Sequence, residues 1–412
     1  MSMLFPFDYA DVIFIRIFLV YAIITSVRLK HFVRLKVSFS PVKDIKGEAF
    51  YRTHVIIRHS YKKKKEPKQM ADTIKGAVLG YGAAFNMGKA HANMMQNTDG
   101  IECVAICDID PARTEAAKED FPGVRTYNSV EELNADDGID LIANVLPHSL
   151  HCGPTVASLK AGKHAIVEKP MCVTIAEATE MITTAKENDV MLSVHHNRRW
   201  DADFWTLREL VHSGVIGKVF SVEMWGGGYG RPNPDWWRSV KAISGGQFYD
   251  WGAHYLDWLL NIIETPMINV TGFYQPNLVW DDITNEDHVQ AIVRFAGGEV
   301  VADGAAAYIQ MSNIAKIGGE RWKLLGSHGA ITAEDSGFKV LSEVKGQPKE
   351  QQVGHHRRPG PTYYQNIVAH LNDGTPLLVT PESARRVIAI MDLAEKSAKT
   401  HQAETVPYEF ES

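Results

Sequence analysis

The sequence predicts an α/β protein, with a doubly wound parallel sheet in its first half and an α+β domain with a mostly antiparallel sheet in its second half. Between residues 74 and 194, buried strand-like runs alternate with helical stretches, which is the pattern of βαβ units. After about residue 193, the strand-like segments become short, alternating and bounded by Gly or Asn, as is typical of antiparallel sheets. The length of 412 residues is consistent with two or three domains.

Composition indicates an ordinary globular protein, since 45% of residues are hydrophobic and 22% are charged. The four cysteines have no C-x-x-C spacing, so we interpret them as small buried residues in a reducing compartment and expect a cytoplasmic protein. Residues 1–70 carry 14 Lys/Arg against 5 Asp/Glu, a net +9, which leaves −15 for the remainder of the net −6. A globule this acidic argues against nucleic-acid binding and for small-molecule chemistry.

The first seventy residues differ from the rest of the chain. An apolar run, Val12–Val27, is interrupted by Arg16 and is shorter than the ~20 residues that cross a bilayer. A membrane-anchoring role for residues 12–27 stays open, and the basic run Lys62–Lys65 could contact anionic lipid. We expect residues 1–70 to be extraneous or disordered, membrane association to be absent, and the working protein to begin near Met70.

A glycine-rich turn follows the first predicted strand. The strand Ile74–Leu79 leads into the segment Gly80–Gly88 and a helix through Met95, and a second strand, Ile101–Ile106, is followed by Asp108. Glycines allow close approach to a pyrophosphate at a helix N-terminus, and an acid after the second strand can bind the adenosine ribose. This spacing predicts a Rossmann-type dinucleotide site.

The cofactor prediction is NAD in preference to NADP. Asp108 is followed by Asp110, and a 2′-phosphate would meet these carboxylates and find no basic side chain before Arg113. The third position of the glycine fingerprint is Phe85 rather than Gly or Ala, so the pyrophosphate contact is the least secure part of this site.

Further βα units complete the predicted parallel sheet. The predicted strands are 139–146, 164–167 and 190–194, and the predicted helices are 152–161 and 174–188. Pro147 and the tripeptide Glu168-Lys169-Pro170 follow two of these strands, at the sheet edge where ligands of such folds bind.

Five segments predict the second sheet: 219–224, 268–273, 288–295, 300–306 and 322–325. We place the nucleotide-binding domain at residues 71–192 and the second domain at 193–380. The amphipathic helix Pro381–Lys399, within a segment 381–412, is expected to pack back on the first domain.

Asp250 and His254 are four residues apart, so on a helix they would share a face and could hydrogen-bond. A carboxylate beside an imidazole fixes its tautomer, which suits a general base. The alternative is a polar stripe on a solvated helix. A metal site would need further ligands, of which His195 and His196 are the nearest, and we predict no metal.

A loop rich in Trp, Gly and Arg, residues 225–238, contains Trp236, Trp237 and Arg238. Aromatic faces beside hydrogen-bonding groups suit polyhydroxylated rings, although a structural loop or a subunit contact is an alternative.

With these motifs the chain resembles the Gfo/Idh/MocA family over about residues 72–400. Its most specific marks are Glu168-Lys169-Pro170 and Asp250-x-x-x-His254 behind an N-terminal nucleotide fold. The resemblance implies a Rossmann domain and a C-terminal α+β domain whose large open sheet forms the interface of a homodimer or homotetramer.

The resemblance also implies site residues. Lys169, Asp250 and His254 would be the catalytic set. The expected cofactor-binding residues are Gly80, Gly82, Ala84, Phe85, Asp108, Pro147, His151, Glu168 and Asn197. The expected substrate-binding residues are Arg198 and Arg199, from the segment that matches the family, and Trp236, Trp237 and Arg238, from the aromatic loop described above.

Three functions are considered. The first is NAD(P)-dependent hydride transfer to or from a secondary alcohol or ketone of a sugar, sugar derivative or cyclitol. The second is redox-neutral glycoside cleavage through a transient keto-sugar, which NADH accumulation would distinguish. The third is a non-catalytic nucleotide-binding sensor, against which the Lys169, Asp250 and His254 set argues.

Overall fold

The structure is a computed structural model that describes residues 33–43, 49–59, 73–344 and 346–409. The chain divides into two units, residues 1–71 and residues 72–412.

In the first unit, strands β1 (Val33–Lys43) and β2 (Ala49–His59) form an antiparallel pair. The apolar run 12–27 and the lysines 62–65 lie outside the described residues, so the expectations attached to them stay predictions. Within the described residues, no helix combines the length and hydropathy needed to span a bilayer.

The second unit begins with a parallel sheet of six strands. These are β3 (Ile74–Leu79), β4 (Ile101–Cys107), β5 (Arg125–Tyr127), β6 (Leu141–Asn144), β7 (His164–Val167) and β8 (Leu192–Val194). Their order across the sheet is β5-β4-β3-β6-β7-β8, and every neighbouring pair is parallel. The chain therefore changes direction across the sheet between β3 and β6, which is the topological switch point where such folds bind ligands.

Five helices belong to this sheet. They are α1 (Met87–Gln96), α2 (Pro111–Asp120), α3 (Val130–Asn134), α4 (Cys152–Lys160) and α5 (Ile175–Glu187). Local sequence sets where they begin: Asp110 accepts a hydrogen bond from the Ala112 amide and precedes Pro111, and Thr174 forms a capping box with Glu177. The prediction of a doubly wound sheet is confirmed.

A second sheet of nine strands forms most of the second half. Its strands are β9 (Val219–Gly227), β10 (Met267–Pro276), β11 (Glu286–Phe295), β12 (Val301–Ser312), β13 (Lys323–Gly326), β14 (Gly329–Glu334), β15 (Gly337–Val344), β16 (Gln347–Gly354) and β17 (Glu404–Thr405). Their order is β16-β15-β14-β13-β9-β12-β11-β10-β17, and only β9 and β12 pair in parallel within this sheet. The predicted mostly antiparallel sheet is confirmed.

The helices of the second half are α6 (Ala202–His212), α7 (Lys241–Ser244), α8 (Gly252–Ile262), α9 (Tyr363–Asp373) and α10 (Pro381–Thr400). Helix α8 is buried almost all round because its sequence is apolar on nearly every face.

Helix α10 contacts a helix of the parallel-sheet half and a strand of the second sheet. The amide of Ile175, at the start of α5, donates to the carboxylate of Asp392 at 2.9 Å. On strand β10, the amide of Gly272 donates to Ser397 Oγ at 3.1 Å, and a Cβ at Gly272 would overlap the Ala394 carbonyl oxygen. Helix α10 therefore joins the parallel-sheet half to the second sheet.

Candidate active site

The glycine turn differs from its prediction at the third glycine. Gly80 has φ of +103°, and its amide donates to the Cys107 carbonyl at 2.8 Å, which seats the turn on the end of β4. A Cβ at Gly88 would overlap the Gly80 carbonyl oxygen, so Gly88 permits close packing of α1 against β3. The third position of the fingerprint, counted from the sequence, is Phe85, and the glycine that packs the helix lies three residues later, at Gly88.

Gly82 leaves open space at the turn. An ideal Cβ there would have no atom within 4 Å, so the backbone is free to approach a ligand. Together with the positive φ of Gly80 and the start of α1, this open cradle fits the pyrophosphate of a dinucleotide.

Phe85 of the glycine turn contacts residues of the second half, and its predicted contact with a cofactor stays a prediction. The Arg238 guanidinium lies 3.9 Å above the Phe85 ring, and the Trp236 ring packs edge-on at 5.6 Å. Ala84 is exposed in the same turn, and its contact with a cofactor stays a prediction.

Asp108 lies at the carboxyl end of β4 beside the glycine turn. Its carboxylate accepts hydrogen bonds from the amides of Tyr81 at 2.6 Å and Asp110 at 2.9 Å. These two donors orient the carboxylate next to the turn, as the predicted ribose contact requires. Arg113 is the first basic residue after Asp108 in the sequence. Its Nε lies 3.9 Å from the Asp110 carboxylate.

His151 does not face the cleft. It is 1% exposed, and its two ring nitrogens lie 2.6 Å from the Pro170 carbonyl oxygen and 2.7 Å from that of Leu146. The ring therefore ties the loop after β6 to the loop after β7, and the predicted cofactor contact of His151 stays a prediction. Pro147, which is partly buried, and Asn197, which is exposed, stay candidates.

Lys169 contacts Asp250, although the two residues are 81 positions apart. Lys169 Nζ lies 3.1 Å from Asp250 Oδ1 and 3.2 Å from its carbonyl oxygen. Arg238 donates to the same Oδ1 at 3.0 Å. Burial would raise the pKa of Asp250, but the charges of Lys169 and Arg238 hold it below its usual value.

Asp250 and His254 are not joined as predicted. Helix α8 begins at Gly252, so Asp250 precedes the helix and its backbone does not continue the helical face. Among the described residues, no hydrogen bond links the two side chains, and His254 Nδ1 is buried without a partner. The Asp250 carboxylate is instead directed at the two cations Lys169 and Arg238.

His254 is held neutral. Burial, followed by the positive charge of Lys169, lowers the pKa of His254 well below its usual value. A neutral imidazole beside an ammonium group can accept a proton from a hydroxyl near neutral pH.

Glu168 lies behind Lys169 in a buried cluster that the sequence analysis did not identify. Its Oε1 is 3.0 Å from His91 Nε2 and 2.7 Å from His195 Nδ1, and its Oε2 accepts the Lys169 amide at 3.0 Å. The ligand atoms of these two histidines and Glu168 are close enough for a metal ion, but hydrogen bonds at these distances account for them without one. Glu168 therefore supports the Lys169 backbone from within the protein, and its predicted contact with a cofactor stays a prediction.

The predicted substrate-binding residues separate into two groups. Arg199 is buried, and its guanidinium contacts Asp257 at 2.6 Å and the Leu378 carbonyl at 2.7 Å, so it is structural. Arg198 lies at the surface of the site, stacked 4.6 Å above the Trp251 ring. Trp237 packs on His148 at 4.8 Å, and Trp236 is 52% exposed.

An open cavity beside His254 adds residues that the sequence analysis missed. The Trp251 ring is 5.5 Å from the His254 ring, and Trp251 lines the cavity together with Trp225, Tyr255 and Arg321. Aromatic walls and a guanidinium are suited to a polar ring-shaped ligand. No single motif marks these residues, because they come from β9, from α8 and the residue before it, and from the loop before β13.

The arrangement combines an open nucleotide cradle with three chemical groups. Lys169 can stabilise negative charge on an oxygen, His254 can exchange a proton, and Asp250 holds Lys169 in place. Carboxylate, ammonium and imidazole groups so arranged suit chemistry at a hydroxyl or carbonyl carbon.

Comparisons with known proteins identify the family to which both halves of this unit belong. Residues 74–196 match the family "Oxidoreductase family, NAD-binding Rossmann fold", and residues 204–332 match the "GFO/IDH/MocA C-terminal domain". The chain is 30% identical over 354 residues to the uncharacterized oxidoreductase YdgJ of Escherichia coli, covering 81% of this chain and 99% of YdgJ. It is 29% identical over 355 residues to scyllo-inositol 2-dehydrogenase (NADP(+)) IolW of Bacillus subtilis, covering 81% of this chain and 96% of IolW.

A solved structure shares the fold. The NAD-binding protein from Listeria innocua superposes with a TM-score of 0.71 at 26% identity, over 81% of this chain and 97% of that chain. The two matched domains, the two sheets and the Lys169–Asp250 contact lead to one conclusion: this chain belongs to the Gfo/Idh/MocA family of NAD(P)-binding oxidoreductases.

Proposed function

We propose that this oxidoreductase transfers hydride between a nicotinamide cofactor and a secondary alcohol or ketone of a sugar, sugar derivative or cyclitol. The observation that carries the proposal is the contact of Lys169 Nζ with Asp250 at 3.1 Å beside the neutral imidazole of His254. The relative IolW, named as a scyllo-inositol dehydrogenase, makes a cyclitol a suitable first substrate to test.

The chain's own residues would handle the oxygen and its proton. When bound, the nicotinamide supplies the hydride acceptor or donor. Gly80, Gly82 and Asp108 would hold the dinucleotide. His254 would take the hydroxyl proton at a ring nitrogen, and Lys169 would stabilise the charge on the substrate oxygen. Asp250 keeps the Lys169 side chain directed into the site.

We further propose that NAD is preferred to NADP. The carboxylates of Asp108 and Asp110, which follow the second strand of the parallel sheet, would repel a 2′-phosphate bound beside them. Arg113, the nearest predicted basic residue, is already close to Asp110. The name of IolW specifies NADP(+), so this preference has to be measured on the present chain.

The test is a screen of cyclitols and sugars with NAD and with NADP, following the absorbance of the reduced nicotinamide. We expect turnover of at least one polyol, at a kcat/KM higher with NAD. Lys169→Ala and His254→Ala should each lower kcat by about a hundredfold or more, because each removes a group that acts on the reacting oxygen.

Binding of NAD should survive both substitutions, since neither residue belongs to the glycine turn. Near-normal hydride transfer in both variants would overturn the catalytic assignment, and equal or better turnover with NADP would overturn the cofactor preference. Substrate turnover without accumulation of reduced cofactor would favour redox-neutral cleavage instead.

A further inference from the structure

A buried chain of polar groups reaches the backbone of Lys169 from within the protein. We define the Glu168 cluster as His91, Glu168, His195 and Tyr364. His91 comes from α1, His195 follows β8, and Tyr364 comes from α9, so the cluster joins three elements behind the candidate site. The two histidines and Tyr364 are at most 2% exposed.

The ionised state of the Glu168 carboxylate determines which groups of the cluster donate hydrogen bonds and which accept them. Burial would raise the pKa of Glu168, but His195 and His91 together hold it well below its usual value, so the group is ionised. An ionised carboxylate only accepts hydrogen bonds, so His91 Nε2 and His195 Nδ1 must both carry hydrogens toward Oε1.

The tautomer of His91 then assigns a role to Tyr364. With its hydrogen on Nε2, a neutral His91 has a lone pair on Nδ1, and the Tyr364 hydroxyl lies 2.6 Å from that atom. The hydroxyl therefore donates to Nδ1 and holds the tautomer that faces Glu168. Without this donor, His91 could place its hydrogen on Nδ1 and turn a lone pair toward the carboxylate.

The other oxygen of Glu168 holds the lysine. Oε2 accepts the Lys169 amide at 3.0 Å, so the position of the carboxylate sets the position of the Lys169 backbone. The Lys169 side chain is only 12% exposed and ends on Asp250, so a small change at its base would move the ammonium relative to a bound ligand.

We propose that Tyr364 and His91 are positioning residues for Lys169, acting through Glu168. Neither residue belongs to the glycine turn, the catalytic set or the cavity. The kinetic part of the proposal rests on the proposed function, whereas the placement of Lys169 can be measured without substrate or cofactor.

The chain provides a matched control in the neighbouring tyrosine. Tyr363 is also buried and on the same helix, but its hydroxyl donates to Ser193 Oγ at 2.9 Å and does not reach His91. Tyr364→Phe and Tyr363→Phe therefore each remove one buried hydroxyl and keep the ring, and only the first breaks the chain to Glu168.

Two measurements compare these variants. The first is the acetylation rate of Lys169 by acetic anhydride in cofactor-free protein, followed by peptide mass spectrometry. We expect a several-fold change in Tyr364→Phe and none in Tyr363→Phe. The second is steady-state kinetics on the polyol found by the screen, where Tyr364→Phe should lower kcat about tenfold and leave the KM for NAD within twofold. A tenfold change corresponds to about 1.4 kcal/mol in the barrier.

Substitutions of His91 give an independent check if Tyr364→Phe folds poorly. His91→Gln keeps an amide donor that can face Glu168, so it should retain more activity than His91→Leu at equal folded fraction. Equal behaviour of the two tyrosine variants in both measurements, or of the two His91 variants, would overturn the proposal. Absence of turnover by the unsubstituted protein would instead count against the proposed function, and the acetylation comparison would still decide the positioning role.

Discussion

Asp250 is the residue on which the candidate site depends most, because its single Oδ1 accepts hydrogen bonds from both Lys169 and Arg238. Two cations on one carboxylate share its charge, so neither is fully neutralised. Arg238 also stacks on Phe85 of the glycine turn, and it therefore links the nucleotide cradle to the lysine.

We expect Arg238→Ala to lower kcat about tenfold, because the Asp250 carboxylate would then pair with Lys169 alone and hold its ammonium away from the substrate oxygen. Arg231→Ala is the matched control, since Arg231 lies in the same loop but pairs with the exposed Asp282. Steady-state kinetics of the two variants checks this, and equal kcat values for both would contradict it.

Residue-scale predictions from sequence succeeded where a short motif set the geometry. Lys169 and Asp250 were named together, and the structure brings them into contact. The prediction of a hydrogen bond between Asp250 and His254 was wrong. Side chains four residues apart share a face only on a continuous helix, and this helix begins at Gly252. The Glu168 cluster was missed because its members come from four distant segments, and no local pattern relates them.

At the scale of elements, two glycines in the turn between β3 and α1 have different roles, one in the packing of the fold and one in ligand binding. Gly88 is required for helix packing, whereas Gly82 faces open space. The two sheet types were predictable from hydrophobic runs and Gly or Asn punctuation, whereas the order of the strands across each sheet was not predicted. Within the second unit, several elements were not predicted, because these short or mixed segments give no clear hydrophobic period. They are helices α2, α3, α6, α7 and α9 and strands β5, β14, β15, β16 and β17.

Gly88→Ala should therefore destabilise the protein even without cofactor, by about 2 kcal/mol or more, since its methyl group would overlap the Gly80 carbonyl. Gly82→Ala should leave the thermal midpoint of the cofactor-free protein nearly unchanged but weaken NAD binding. Thermal unfolding and NAD titration of both variants measure this, and a large loss of apo stability in Gly82→Ala would be the contrary result.

At the scale of the whole molecule, several histidines are buried in neutral form. Burial, then the neighbouring His151, lowers the pKa of His148 to about 3, and burial lowers that of His196 to about 4. In the unfolded chain both groups take up protons as the pH falls through about 6.5, whereas in the folded protein they do not.

Because the unfolded state binds more protons between pH 6.5 and 4, the free energy of unfolding should fall as the pH falls through this range. Two such groups give a slope approaching about 2.7 kcal/mol per pH unit. Urea unfolding between pH 7 and 5 measures the slope, and the variant with His148→Gln and His196→Gln should show a shallower one. An unfolding free energy that does not change between pH 6.5 and 5 would contradict the prediction.

The packing of helix α10 determines when each half of the chain can complete its folding during synthesis. The Asp392 carboxylate that receives the Ile175 amide is translated more than two hundred residues later. The last helix also covers strand β10 at Gly272. A nascent polypeptide that ends before residue 381 therefore leaves apolar surface bare in both halves, and neither half is finished until the final helix has left the ribosome.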